Sequence, residues 1–351
     1  MEPSQNGNRK GGIMKGNVVK NAGFVICCCM LVFASSCSKK GENTKPVSSG
    51  PINFKIGHDG AEGVPCSLAL ARFKELVEKK TDGAIQISVY NNGTLGSAND
   101  YIVNCQLGTL DMGSVNQSVL SSFVPDLAAM DIPYLLKDYA QADACYTGKV
   151  GQYYMDETSS LTDLEVLAIW EVGYRVLTND KHPVNKMADI KGLRIRTMDN
   201  KIHQDFWKSL GADPVPMSWG EAYTALQQGA IDGCENAISM ILGNNVAEVN
   251  KHLAITNHVY SSQFLIIGKK SWEKLSDEQK KIMRECALEA GQYEREVQRR
   301  QADDAVEKLK EKGMKVTYPE ISEFTDYAKT FKKKYESQYK NVLDLVEETA
   351  R

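Results

Sequence analysis

A chain of 351 residues is longer than a single hydrophobic core usually organises, so two lobes or domains are expected. Hydrophobic residues make up 42% and charged residues 25%, an ordinary globular balance that excludes wholesale disorder. With 42 basic against 45 acidic side chains and a formal net charge of -3, no global field exists to hold nucleic acid or an anionic membrane; any preference for an acidic ligand must be local.

The first 37 residues differ from the rest. Lys15 and Lys20 precede the apolar run Ala22 to Ala34, too short to span a bilayer comfortably but suited to a signal-peptide core. The run ends in Ala34-Ser35-Ser36-Cys37, which resembles the lipobox at which signal peptidase II leaves a lipidated cysteine, with Ala34 standing where Leu is commoner. Export to the periplasm or cell surface, with a lipid anchor on Cys37, is the expectation. Met14 is a second candidate start, since the stretch before it is polar and glycine-rich. Ser38 to Gly50 reads as a flexible linker. Nine cysteines fall to five beyond Cys37, namely Cys66, Cys105, Cys145, Cys234 and Cys286. They are widely spaced and odd in number, which argues against a disulfide framework or a zinc site.

Ile52 to Ile56 alternates as a strand and breaks at Gly57-His58-Asp59-Gly60. Ser67 to Thr81 carries an apolar helical face and stops at Asp82-Gly83, and Ile85 to Tyr90 alternates again. Strand, helix and strand in so short a span form a βαβ unit with a right-handed parallel crossover. Tyr101 to Gly108 is a second helix, followed by a short strand at Met112 to Val115 and the polar loop Asn116-Gln117-Ser118. Glu165 to Ile169, Val176 to Thr178 and Leu193 to Arg196 are expected as separate strands, and Lys201 to Leu210 and Ser218 to Gln228 as helices. Phe264 to Ile267 is a buried strand. Ser276 to Lys312 is helical, with Ser276 and Glu278-Gln279 forming a capped start, and is long enough to run across two lobes. Phe331, Tyr335, Tyr339, Val342 and Val346 form a stripe expected in the core or at a lobe contact.

The expected fold is α/β and two-lobed. Residues 52–173 and 262–300 build one lobe, and 174–261 and 301–351 the other. In a closed cleft, an organic acid needs a planar, permanently charged fork to offset the desolvation of its carboxylate. Arg196, at the end of its strand, and Arg175, after Gly173-Tyr174, are the candidates, although either could equally be a surface or ion-paired arginine.

Several strings occur together and in order: Gln106-Leu107-Gly108-Thr109-Leu110-Asp111-Met112-Gly113, Asp131-Ile132-Pro133-Tyr134-Leu135, Glu171 to Asn179, Lys191 to Arg196, Leu210 to Met217, Tyr223 to Asn236 and Thr256 to Tyr260. Across about Phe54 to Glu289 the chain thereby resembles the solute-binding proteins of tripartite ATP-independent periplasmic (TRAP) transporters. The resemblance implies capture of a small organic acid for delivery to membrane subunits, with no cofactor. It also implies that Arg196 meets the ligand carboxylate, that Asn236 supports it by hydrogen bonding, and that Arg175 is a second clamp. Asn116, His58 and Glu62 resemble residues of ligand-facing loops, while Trp170, Trp219 and Tyr260 are candidate apolar walls. Two departures stand out. Ala237 replaces a common proline after Asn236, and Arg196-Thr197-Met198-Asp199-Asn200 replaces arginine-valine-proline, resembling members that take sugar acids or other hydroxylated monocarboxylates.

Catalysis finds no support in motifs: neither G-x-S-x-G, H-E-x-x-H, a phosphate-cradling loop nor a dinucleotide fingerprint occurs. A binding protein of the same fold that serves a sensor kinase or another importer is the alternative, since fold alone does not separate these roles.

Overall fold

The computed structural model describes residues 50–349; Cys37 and the signal-like segment lie outside them. Ten strands form one sheet: β1 (Ile52–His58), β2 (Ile85–Tyr90), β3 (Met112–Asn116), β4 (Leu164–Asn179), β5 (Arg194–Thr197), β6 (Asp213–Pro216), β7 (Gly233–Ala237), β8 (His252–Ala254), β9 (Tyr260–Gly268) and β10 (Lys315–Thr317). Their order is β2-β1-β3-β9-β4-β7-β5-β6, with β8 pairing β4 and β10 at the side. At one end β1 runs parallel to both β2 and β3, and at the other β5 runs parallel to β6 and β7, as expected when strands are joined by crossover helices.

The two ends meet along β4. From Leu164 to Tyr174 this strand pairs antiparallel with β9, and from Arg175 to Asn179 with β7. Glu165–Ile169 and Val176–Thr178 are therefore one strand of 16 residues, not two. The glycine between them reads as a break, but the sheet absorbs it in a register shift between Glu171 and Gly173, where Gly173 adopts φ 96°. A Cβ at Gly173 would lie 2.6 Å from Nε2 of Gln298, so the crossing point also packs closely on the helix behind it.

That helix, Asp277–Glu311, is 35 residues long and spans both halves. Ser276 caps it reciprocally with Gln279, as the sequence suggests: the Gln279 amide donates to Ser276 Oγ at 3.2 Å and the Ser276 amide to Gln279 Oε1 at 3.0 Å. Its first half contributes Met283, Cys286, Ala287 and Ala290 to a core with Phe54, Ile56 and Phe73. Its second half contributes Ala305 and Leu309 to another core with Val176, Cys234 and Leu253. The C-terminal stripe of Phe331, Tyr335, Tyr339, Val342 and Val346 is buried in a third core that joins residues from both ends of the sheet. All five cysteines among the described residues are free and buried. No helix among these residues is long and apolar enough to cross a membrane.

Candidate functional site

Strands that run parallel within each half release their connections at the same edge, so polar residues at strand ends converge there. His58 ends β1 and Asn116 ends β3, while Arg175, Arg196 and Asn236 come from β4, β5 and β7. Together with Trp219, which opens the helix Trp219–Gln227, all of these line one cavity of about 160 Å³.

Arg196 is 3% exposed. Its Nε and Nη2 both donate to the carbonyl oxygen of Met217, at 3.0 and 2.8 Å, and its guanidinium lies 5.3 Å from the centre of the Trp219 ring. Nη1 has no partner among the described residues. Burial pulls its pKa down to about 10, against the raising effect of Glu235, so the group stays charged at neutral pH. One neutral carbonyl is weak compensation for a buried cation, and an anionic ligand would complete it.

Arg175, 1% exposed, is already compensated. Its Nε pairs with Glu235 Oε2, and its Nη2 donates to Glu235 Oε1 at 2.9 Å and to the Glu235 carbonyl at 2.7 Å. Nη1 donates to Asn236 Oδ1 at 3.1 Å. Asn236 Oδ1 therefore braces Arg175, and among the described residues no hydrogen bond joins Asn236 to Arg196. Asn116 is committed as well, donating from Nδ2 to Ser261 Oγ at 2.9 Å and accepting the Ser118 amide at 3.0 Å. His58 is 1% exposed; burial pulls its pKa down against the raising effects of Asp59 and of a hydrogen bond with the Ser114 backbone.

Three expected residues are not among those lining the cavity. Trp170 faces the long helix, where its indole donates to the Ala287 carbonyl at 3.0 Å, because alternation along β4 turns it toward the core. Tyr260 sits among Tyr139, Tyr146 and Tyr174, with its hydroxyl 3.0 Å from Glu171 Oε2. Glu62 is exposed at the turn before the helix Pro65–Lys80.

Sequence reasoning missed the charge chain behind Arg175. Glu235 also takes a bond from His258 Nε2 at 3.0 Å and faces His203 Nδ1 at 3.6 Å. His203 Nε2 lies 3.2 Å from Asp131 Oδ1, and Asp131 is held further by Ser118 Oγ at 2.6 Å and Asn200 Nδ2 at 2.9 Å. Burial alone would raise the Glu235 pKa, yet Arg175 and His203 hold it well below the usual carboxylate range. The signal was present, since Asp131 and Glu235 both stand inside strings singled out above, but nothing in their spacing joins them. Asp59 and Gln263 also line the cavity and were not foreseen. Among the described residues, no group of three or more His, Cys, Asp or Glu side chains could hold a metal ion.

The chain gives stability a pH dependence. Burial pushes the His203 imidazole down, but Glu235 and Asp131 outweigh it and raise the pKa from 6.5 to about 9. A raised histidine pKa stabilises the folded state fully below the unfolded value and loses that contribution as pH rises through the folded one. Urea titrations should show the unfolding free energy falling between pH 6.5 and about 9 by on the order of 3 kcal/mol, with the slope lost in His203→Gln. A flat wild-type profile across that window would exclude a charged His203.

The chain matches the family described as bacterial extracellular solute-binding protein, family 7, over residues 56–339. It is 32% identical over 266 residues to the 2,3-diketo-L-gulonate-binding periplasmic protein of Escherichia coli, covering 75% of this chain and 80% of that one. In structure it is similar to a TRAP periplasmic solute-binding protein from a Polaromonas species bound to D-erythronate, with a TM-score of 0.82, 32% identity and coverage of 84% of this chain and 98% of that chain. It is also similar to the sugar acid binding protein of Advenella mimigardefordensis in complex with galactonate, at TM-score 0.81, 28% identity and coverage of 86% and 99%.

Proposed function

The chain belongs to the bacterial extracellular solute-binding proteins of family 7, and on that premise we propose that it captures a small organic acid around Arg196 and delivers it to the membrane subunits of a TRAP transporter. The favoured ligand is a sugar acid or another hydroxylated monocarboxylate, the class held by the Polaromonas and Advenella proteins. The observation that carries this reading is Arg196 itself: buried, charged, beside the Trp219 ring and, among the described residues, hydrogen-bonded only to a neutral carbonyl on one side of its fork. Asn236, Arg175, Asn116, His58 and Trp219 complete the binding site, with Arg175 acting as the braced anchor of the wall. Glu62, Trp170 and Tyr260 do not line the cavity and carry no role in this reading.

Residues 52–173 with 262–300 form one closing lobe, and 174–261 with 301–351 the other; the exchange of partners along β4 at Tyr174 and Arg175 supports that boundary. A ligand that touches both lobes binds the closed form better and shifts the population towards it. The acid is released unchanged, no catalytic role is assigned, and uptake draws on an ion gradient through the membrane subunits. The protein works outside the cytoplasm, tethered through Cys37, a reading supported by the charged, apolar and small-residue order of its first 37 residues. Metabolic labelling with palmitate tests the tether, which Cys37→Ser should abolish.

Calorimetric titration with a panel of acids that includes D-erythronate and galactonate tests capture, and X-ray scattering should give a smaller radius of gyration with the bound acid than without it. A panel with no binder, or a saturating acid that leaves the radius unchanged, defeats capture by closure.

A further inference from the structure

The loop after β1 and the helix after β7 belong to opposite ends of the sheet, with β3, β9 and β4 between their strands, yet one side chain joins them. Asn244, half-buried, directly follows the helix Ile238–Gly243. Its Oδ1 accepts the Ala61 amide, from the loop after β1, at 3.3 Å and the Trp219 indole N–H at 3.2 Å. Its Nδ2 donates to the Met240 carbonyl at 2.8 Å, so the three contacts fix which end of the carboxamide is oxygen. The loop and the helix also pack closely: Val64 is fully buried, and a Cβ on Gly243 would lie 2.6 Å from its Cγ1.

Trp219 is the part of this junction that reaches the acid site. Its ring lies 5.3 Å from the Arg196 guanidinium. Together with Asp59 it lines both the cavity around Arg196 and a neighbouring one of about 190 Å³ whose wall includes Asn92, Tyr223 and Asn244. Trp219 and Asp59 therefore stand between the two spaces. Asp59 is carried on a stiff lip, since the Asn92 amide donates to the Gly60 carbonyl at 2.9 Å and the Gly93 amide to the His58 carbonyl at 3.1 Å. A carboxamide oxygen has two lone pairs, and here one is given to the lip and the other to the ring. Moving the lip away from the helix breaks the bond to Ala61, and losing the Asn244 carboxamide frees the lip and the ring at once.

We propose that Asn244 is a positioning residue that clasps the cavity shut: it ties Trp219 to the loop after β1, so that the partition beside Arg196 opens when the bond to Ala61 breaks, and it thereby sets how long a captured acid stays. This deepens the carboxylate-capture reading above and rests on it. Capture precedes the clasp, so Asn244 governs release and not arrival.

Surface plasmon resonance on the immobilised protein tests the clasp with D-erythronate or galactonate, whichever binds the wild type in calorimetry. Asn244→Leu, which keeps the bulk and removes the acceptor, should release the acid at least about fivefold faster, with its association rate within about twofold of wild type. Trp219→Phe removes one of the two donors, so adding Asn244→Leu to it should speed release by a smaller factor than in the wild-type background. Unchanged release from a folded Asn244→Leu protein, slower association as its sole effect, or equal factors in the two backgrounds would each overturn the proposal. If Asn244→Leu does not fold, Asn244→Ser takes its place, since its short side chain cannot reach both donors. Should no acid bind the wild type, the capture reading fails by itself, and hydrogen exchange at the Ala61 amide of the ligand-free protein decides the clasp. Exchange at least about fivefold faster in Asn244→Leu than in the wild type would support it, and equal exchange in the two would overturn it.

Discussion

Arg196→Met should abolish tight acid binding while making the empty protein more stable. The two effects share one cause. A charge-assisted fork to a carboxylate in a desolvated cleft is worth about 3–5 kcal/mol when one partner is truncated, so affinity should fall by at least about a hundredfold. In the unliganded protein, however, the same guanidinium is buried against a single carbonyl, and burial lowers its pKa from 12.5 to about 10. A base whose pKa drops on folding opposes folding while it is charged, here by on the order of 3 kcal/mol. An apolar side chain of similar length removes that cost, so the midpoint of thermal unfolding should rise without ligand and no longer respond to it. Arg196→Lys should also bind poorly, since an ammonium lacks the planar fork. Near-wild-type affinity in Arg196→Met would remove Arg196 from the site.

The second large effect should fall on stability. Glu235→Gln leaves Arg175 buried without its counter-charge and strips His203 and His258 of their shared partner. Breaking one side of a buried pair costs about 3–5 kcal/mol, whereas replacing both sides with apolar groups is often neutral. Denaturant unfolding should therefore show a loss of that size for Glu235→Gln and, in the double variant Arg175→Met/Glu235→Met, recovery of the part due to the unpaired Arg175, the part due to His203 and His258 remaining. A single variant that costs less than about 1 kcal/mol would mean that Arg175 is solvated or paired elsewhere. If the single variant does not fold, the double variant still carries the test, because it should fold.

These two arginines illustrate how far the sequence can be read. Both carry a positive charge on a strand and both reach the cavity, but their states are opposite. One is saturated by protein and the other by almost nothing. Alternation places Arg196 at a strand end and so finds the cleft, since it depends on neighbours in sequence. Compensation depends on partners far away in the chain: Glu235 lies 60 residues from Arg175, and Asp131 lies 72 from His203. No local pattern encodes such pairings. For the same reason the βαβ unit from Ile52 to Tyr90 and the capped helix at Ser276 are legible, whereas the unity of β4 is not, because a glycine in a strand reads as an end until a partner strand is there to absorb the bulge. The aromatics fail differently. Trp170 and Tyr260 have the right chemistry for a wall, but which side of a fully buried strand faces a cavity is decided by packing.

The helix Asp277–Glu311 lends its first half to one core and its second half to another. Neither core keeps its cover if that helix frays, so the free energy for opening one half is tied to that of the other. Amide protons deep in β1 and in β7 should therefore exchange through one common global event, and a protease that cuts the helix should release both halves to digestion together. The two halves proposed to move against each other in closing should therefore melt as a single cooperative unit.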